Sequence, residues 1–336
     1  MRHPAAIRTP LAALAGLSLL LTACSPGSGT APPSGSETSA GAVDIVASTN
    51  VYADIARQVG GDKVNVSSII NQASQDPHSY EANAQDRLLV SKADLVIENG
   101  GGYDDFLHKL ADDSNIPHSK IVSAVEVSGL APEETGAESP AAVESGAASE
   151  TDAGHAHDHG EFNEHVWYSV DAMGKLADSV AAKLGELEPA SAAVFTANAA
   201  TFKTGVGGLA GKLAALKASG AGAPVAVTEP VPMYLLEAAG LENRTPADYT
   251  AAIEEGSDVP PAVLKAATDL AGSKELRFLA YNSQTEGPQT EALKKAAEAA
   301  GVPVIDFSET LPEGKTYLEW MTDNVENVGK VLEKNS

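Results

Sequence analysis

The stretch VDIVASTNVYADIARQVGGDKVNVSSII, residues 43–70, sets a short apolar run (Val43 to Ser48) before a helical pattern (Tyr52 to Val59). A second β-type run, Val64 to Ile70, follows. A helical segment from Asn83 to Lys92 and another strand-like run from Leu95 to Glu98 continue the alternation. Strand, helix, strand, helix, strand predicts a parallel sheet with helical crossovers. Downstream the same alternation returns: Val225 to Thr228, a helix near Met233 to Ala239, Leu276 to Tyr281, Glu291 to Ala300, Val302 to Phe307, and a closing helix from Tyr317 to Leu332. Between the two halves, Val194, Phe195, Phe202, Leu209, Leu213 and Leu216 recur at roughly helical spacing in an Ala-rich segment. That spacing predicts one long helix over 189–219, despite the glycines around Gly205 to Gly208. The fold class is therefore α/β: two similar lobes with parallel sheets flanked by helices, residues 43–188 and 220–336, joined by one long helix. A cleft between such lobes is the usual place for a small ligand.

At the N-terminus, Arg2 and Arg8 precede an apolar run from Leu11 to Leu21, the pattern of a secretory signal over residues 1–23. Leu21-Thr22-Ala23-Cys24 resembles a bacterial lipobox, which makes Cys24 the expected lipidation site and anchors the chain to the outer face of the cell membrane. Cys24 is the single cysteine, so neither an intramolecular disulfide nor a thiolate zinc site can form. Residues 24–42 are rich in Ser, Gly, Pro, Thr and Ala and read as a flexible tether. The formal net charge of -24 argues against a nucleic-acid partner and raises the local concentration of cations.

Four side chains stand where chemistry is expected. His78, in Asp76-Pro77-His78-Ser79-Tyr80-Glu81, follows the strand ending at Ile70 and precedes a helix that Asn83 can cap. It lies beyond a strand's C-terminal end, where ligands of open α/β sheets gather, and Pro77 stiffens the loop. His165, in Asn163-Glu164-His165-Val166-Trp167-Tyr168, marks an abrupt change from polar to apolar sequence. Glu229 follows the apolar strand Val225 to Thr228, and Glu309 follows the strand ending at Phe307, with Asp306 as its competitor. Taken singly, a loop histidine is more often an exposed bystander and a carboxylate at a helix entry more often a simple charge. Together, two imidazoles and two carboxylates, two from each half, would satisfy a divalent ion with few or no waters. Such closure suits capture rather than catalysis.

With these residues in place, the sequence resembles the family of substrate-binding lipoproteins of ABC importers for zinc and manganese. Gly61-Asp62-Lys63-Val64-Asn65-Val66, Asp76 to Glu81 and Glu164-His165-Val166-Trp167 carry the resemblance, which covers about Val43 to Leu332. It implies metal ligation by His78 and His165, a rigid connecting helix that permits only modest hinge motion, an ABC permease as partner, and no enzymatic activity. The chain is expected to act as a monomer. Two positions depart from the family pattern: Glu229 stands where histidine is frequent, and Glu309 where aspartate is usual. Two nitrogens and two carboxylates form a harder set than three imidazoles and one carboxylate, which brings Mn2+ into contention with Zn2+.

Residues 131–164 carry nine acidic residues, no Lys or Arg, and the tract His155-Ala156-His157-Asp158-His159. They read as a disordered loop inserted in the first lobe, and His155, His157 and His159 as a secondary metal-holding tract that tilts the expectation towards zinc. The tract lacks one residue of the His-x-His-x-Asp-His pattern of metallo-hydrolases, and no His-Glu-x-x-His pattern exists. A metal-dependent hydrolase and an adhesin-like lipoprotein with a structural metal are the alternative readings. Deleting Ala131 to Gly160 should leave one tightly bound ion per chain and remove weaker additional zinc sites. Zinc titration of the two proteins checks this, and equal stoichiometry would argue against a zinc-handling tract.

Overall fold

A computed structural model of the chain describes residues 41–72, 75–131 and 162–334. Cys24, residues 1–23, the tether up to Ala40, and His155, His157 and His159 lie outside the described residues. In the first half, β1 (Val43–Thr49), α1 (Asn50–Gly60), β2 (Val64–Ile70), α2 (Ala84–Val90), β3 (Leu95–Glu98), α3 (Asp105–Asp113), β4 (Ile121–Ser123) and α4 (Ala124–Ser128) follow in order. All neighbouring strands are parallel, in the order β2-β1-β3-β4. The expected capping of α2 is present: the Asn83 side chain accepts from the Gln85 and Asp86 amides, and Asp86 answers by accepting from the Asn83 amide.

Next come α5 (Val170–Leu187) and α6 (Ala192–Gly220), then β5 (Pro224–Val227), α7 (Met233–Ala238), β6 (Glu242–Asn243), α8 (Ala247–Glu254), α9 (Pro261–Ala271), β7 (Leu279–Asn282), α10 (Pro288–Ala300), β8 (Val304–Phe307) and α11 (Tyr317–Lys334). The second sheet repeats the first, parallel throughout, in the order β6-β5-β7-β8. Because the crossover helices cover both faces, the inner strands β1, β3, β5 and β7 are almost wholly buried, whereas the edge strands β2 and β6 are partly exposed.

The long helix expected over 189–219 is α6, 29 residues long, with a single 3-10 turn at Pro189–Ser191 before it. Phe195, Phe202, Leu209 and Leu213 face the core as the spacing predicts, whereas Val194 is 46% exposed. The glycines do not break the helix because burial of Phe195, Phe202, Leu209 and Leu213 along one face holds it, and a Cβ at Gly207, Gly208 or Gly211 would meet nothing within 4 Å. Gly205 is the exception, since a Cβ there would meet the Leu318 side chain at 2.5 Å, so it sets the close approach of α6 to α11.

One contiguous core joins the halves. It contains Ile45 and Ile97 from the first sheet, Val225, Val227 and Ile305 from the second, and residues of α1, α5, α6 and α11 between them. Each sheet's outer face has its own smaller cluster. Hydrogen bonds rivet the halves further: Tyr168 Oη donates to the Ser308 carbonyl (2.7 Å), Tyr317 Oη to the Trp167 carbonyl (2.7 Å), and Asn50 exchanges two bonds of 2.9 Å with the Leu311 backbone.

The expected loop over 131–164 is too long at its C-terminal end. Phe162 packs against the shared core, and Glu164 is buried. The apolar Phe162 was obscured in the sequence by the acidic residues around it. Phe202, 2% exposed with its ring 5.8 Å from Tyr317, bridges α6 and α11. Phe202→Ala should destabilise the metal-free protein by about 3–5 kcal/mol, read as a lower denaturation midpoint.

Candidate metal centre

The C-terminal ends of both sheets open on one cavity of about 590 Å3, lined by His78, His165, Glu229 and Glu309 among others. His78 sits on the loop after β2. Asp76 holds that loop, its carboxylate accepting from the His78 amide (3.0 Å) and from Ser79 Oγ (2.7 Å). The imidazole lies edge-on to Tyr103, 4.8 Å between ring centroids, and its Nε2 is 3.9 Å from Glu164 Oε1.

His165 precedes a 3-10 turn at Val166–Tyr168 and is 1% exposed. Its Nδ1 lies 2.7 Å from Asn163 Oδ1. That amide's orientation is fixed, because Oδ1 also accepts from the His165 backbone N–H and Nδ2 donates to the Pro230 carbonyl. Nδ1 must therefore carry the proton, which leaves the lone pair on Nε2 for a ligand. Burial and the neighbouring His78 hold the His165 imidazole well below its ordinary pKa, hence neutral.

From the second half, β5 delivers Glu229 and the end of β8 delivers Glu309, each 4% exposed. Asn282, the last residue of β7, accepts the Gln284 amide on Oδ1 and turns Nδ2 to both carboxylates, at 2.8 Å from Glu309 Oε1. Thr285 Oγ1 donates to Glu229, and Tyr103 Oη reaches across from the first half to Glu309 Oε2 at 3.0 Å. Asp306, the competitor of Glu309, is exposed on β8 and lines a different cavity with Asn50 and Asn71.

The four predicted side chains thus share one cavity, but they do not form its tightest donor group. His78, His165 and Glu254 offer donor atoms that all lie within 4.8 Å of one another. Glu254 ends α8 with its side chain 10% exposed, and it stands 3.7 Å from His165 Nδ1. Sequence reading missed it because α8 buries one residue, Tyr249, and so shows no apolar period. Asn282 and Tyr103 were also missed. The signal for Asn282 was available, since it ends a strand just as Glu229 follows one.

Among the described residues, seven acidic ones and no lysine or arginine line the cavity. Burial, reinforced by the Glu309 charge, pushes Glu229 from its ordinary 4.5 to about 7, and burial does the same for Glu164. Glu254 is pushed up to about 10 by burial and by Glu164, Glu229 and Glu309. Glu309 is raised by burial, against the hydrogen bonds from Asn282 and Tyr103. Neutral imidazoles beside desolvated carboxylates with no cationic side chain are the donor chemistry of a divalent cation.

Comparison with known proteins agrees on the fold. The chain is 27% identical over 187 residues to the metal ABC transporter substrate-binding lipoprotein ScbA of Streptococcus cristatus, covering 53% of this chain and 51% of that one. It is 25% identical over 165 residues to the manganese-binding lipoprotein MntA of Bacillus subtilis (strain 168), covering 48% and 45%. The match thus spans about half the length of these curated relatives. The solved structure of the periplasmic zinc-binding protein TroA from Treponema pallidum superposes with a TM-score of 0.65 at 20% identity, covering 87% of this chain and 99% of that one. The model of the family described as zinc-uptake complex component A, periplasmic, matches residues 45–331, so the chain belongs to the ZnuA family.

Proposed function

We propose that the chain is the extracytoplasmic substrate-binding component of an ABC importer, which captures one divalent transition-metal ion between its lobes and passes it to a permease. His78, His165, Glu229 and Glu309 are its ligands in the loaded state. Cys24 carries the lipid that tethers the chain to the outer face of the membrane, and the chain works as a monomer. The observation that carries this reading is the convergence of two imidazoles and several buried carboxylates, from both halves, on a cavity with no lysine or arginine.

Zinc is narrowly favoured over manganese as the cargo. Two buried imidazoles suit zinc, zinc exceeds manganese in intrinsic affinity for most nitrogen and oxygen sites, and the His155 to His159 tract adds further imidazoles. The carboxylates, and a relative named as manganese-binding, pull the other way. Metal content of the purified protein and a zinc–manganese competition titration separate the two.

His165→Ala removes a donor at the centre of the group and should weaken metal binding by at least about 100-fold, at or beyond the upper end of the loss typical of outer-shell changes. Unchanged affinity by competition titration would sink the ligand assignment.

The buried acids also set a pH dependence. Glu164 and Glu229 hold protons in the folded metal-free chain up to about 7, whereas the unfolded chain releases them above its ordinary 4.5. The folded state binds more protons in that window, so stability falls as pH rises through it. The melting temperature of the metal-free protein should be lower at pH 8 than at pH 5. Zinc should raise it most at pH 8, where the ligands are deprotonated. A metal-free profile that rises with pH would contradict the buried-acid account.

A further inference from the structure

The donor group closest to a coordination sphere includes Glu254, which is neither at a strand end nor on a loop. Glu254 closes α8 at its C-terminus, where the helix presents its negative end, so a carboxylate there opposes the dipole. Its Oε1 is buried with no hydrogen-bond partner among the described residues. Its ionised form is destabilised in that position unless a cation accompanies it.

Two cavities meet at this residue. The inner one holds His165, Glu229 and Glu309. An outer groove of about 860 Å3 runs past Glu81 and Lys109, both exposed. Glu254 and His78 line both. Deeper in, Glu229 and Glu309 are already oriented by Asn282, Thr285 and Tyr103. Two donors, His78 and Glu254, stand at the boundary, and His165 and the two prepared carboxylates line the inner cavity.

We propose that Glu254 is the carboxylate that first takes the ion, together with His78 and His165, at the boundary between groove and cavity, and that Glu229 and Glu309 replace it there. The inference rests on the reading of the cavity as a metal-binding cleft. His78 and His165 keep the ion throughout while carboxylate oxygens exchange on the metal: Glu254 gives its proton to solvent as it takes the ion and takes one back as Glu229 and Glu309, in ionised form, replace it. On release the order reverses, and Glu254 is the last protein oxygen the ion leaves.

Stopped-flow measurement of Zn2+ association and chelator-driven dissociation on the full chain tests this, with Glu254→Gln, Glu254→Asp and Glu229→Gln compared. Glu254→Gln should slow both rates by about tenfold, the equivalent of one charge-assisted contact, and change the equilibrium affinity far less. Glu254→Asp, which keeps the charge on a shorter stem, should give intermediate rates. Glu229→Gln should instead lose affinity chiefly through faster dissociation. Wild-type rates in a folded Glu254→Gln protein would overturn the proposal. So would a loss of affinity with unchanged association, because Glu254 would then be a resident ligand. If the wild-type chain takes up neither Zn2+ nor Mn2+, the metal-binding reading itself falls, an outcome distinct from both.

Discussion

The constraint on which the site depends is the burial of Glu164, Glu229, Glu254 and Glu309 around two imidazoles without a lysine or arginine among the groups that line the cavity. Burying a carboxylate without a compensating charge is unfavourable by several kcal/mol in real proteins, and the chain meets that cost by keeping protons on these acids. The hydrogen bonds from Asn282, Thr285 and Tyr103 orient two of the carboxylates but cannot neutralise them. A divalent ion can. Under the proposed function, the same cluster that weakens the metal-free fold at neutral pH would drive capture, because a divalent ion would stabilise the ionised carboxylates that burial disfavours.

Such a cluster survives only if the surrounding fold holds it together, and the shared core does so. Ile45, Val227 and Ile305 belong to one apolar body through α1, α5, α6 and α11, so the halves have no independent inner cores to swing on. Tyr168, Tyr317 and Asn50 add backbone-directed bonds across the junction. A wide hinge opening would break all of these at once. The proposed exchange of an ion would then have to rely on local displacement of the elements that carry donors from outside the core, the His78 loop and the end of α8.

Most of the fold was legible because apolar runs at strand period are separated by helical ones, and that pattern comes from burial on both faces of each sheet. The shortest elements left no such trace: β6 has two residues, and β4 three. Asp76 to Glu81 announced His78 because a proline-stiffened loop after a strand is local chemistry. The donor triad was not legible as a unit, since Glu254 lies 89 positions from His165 on a helix with one buried residue. Glu309 and Asp306 were indistinguishable by composition. Their separation follows from the pleat of β8, which leaves Asp306 exposed between the buried Ile305 and Phe307, while Glu309 lines the cavity with Glu229.

The number of acids bears on which ion suits the cleft. A divalent ion is neutralised by two ionised carboxylates, and a neutral set is the most stable arrangement in a site of low dielectric. Glu229 and Glu309, already accepting from Asn282, are the pair best prepared to ionise. Burial raises Glu164 and Glu254 as well in the metal-free chain, Glu254 most of all. The proposed inner set of two nitrogens and two oxygens would be complete for a four-coordinate ion, the preference of zinc. An ion that demands six ligands would have to ionise Glu254 as well or admit water, placing a third negative charge or a polar gap in a buried cleft.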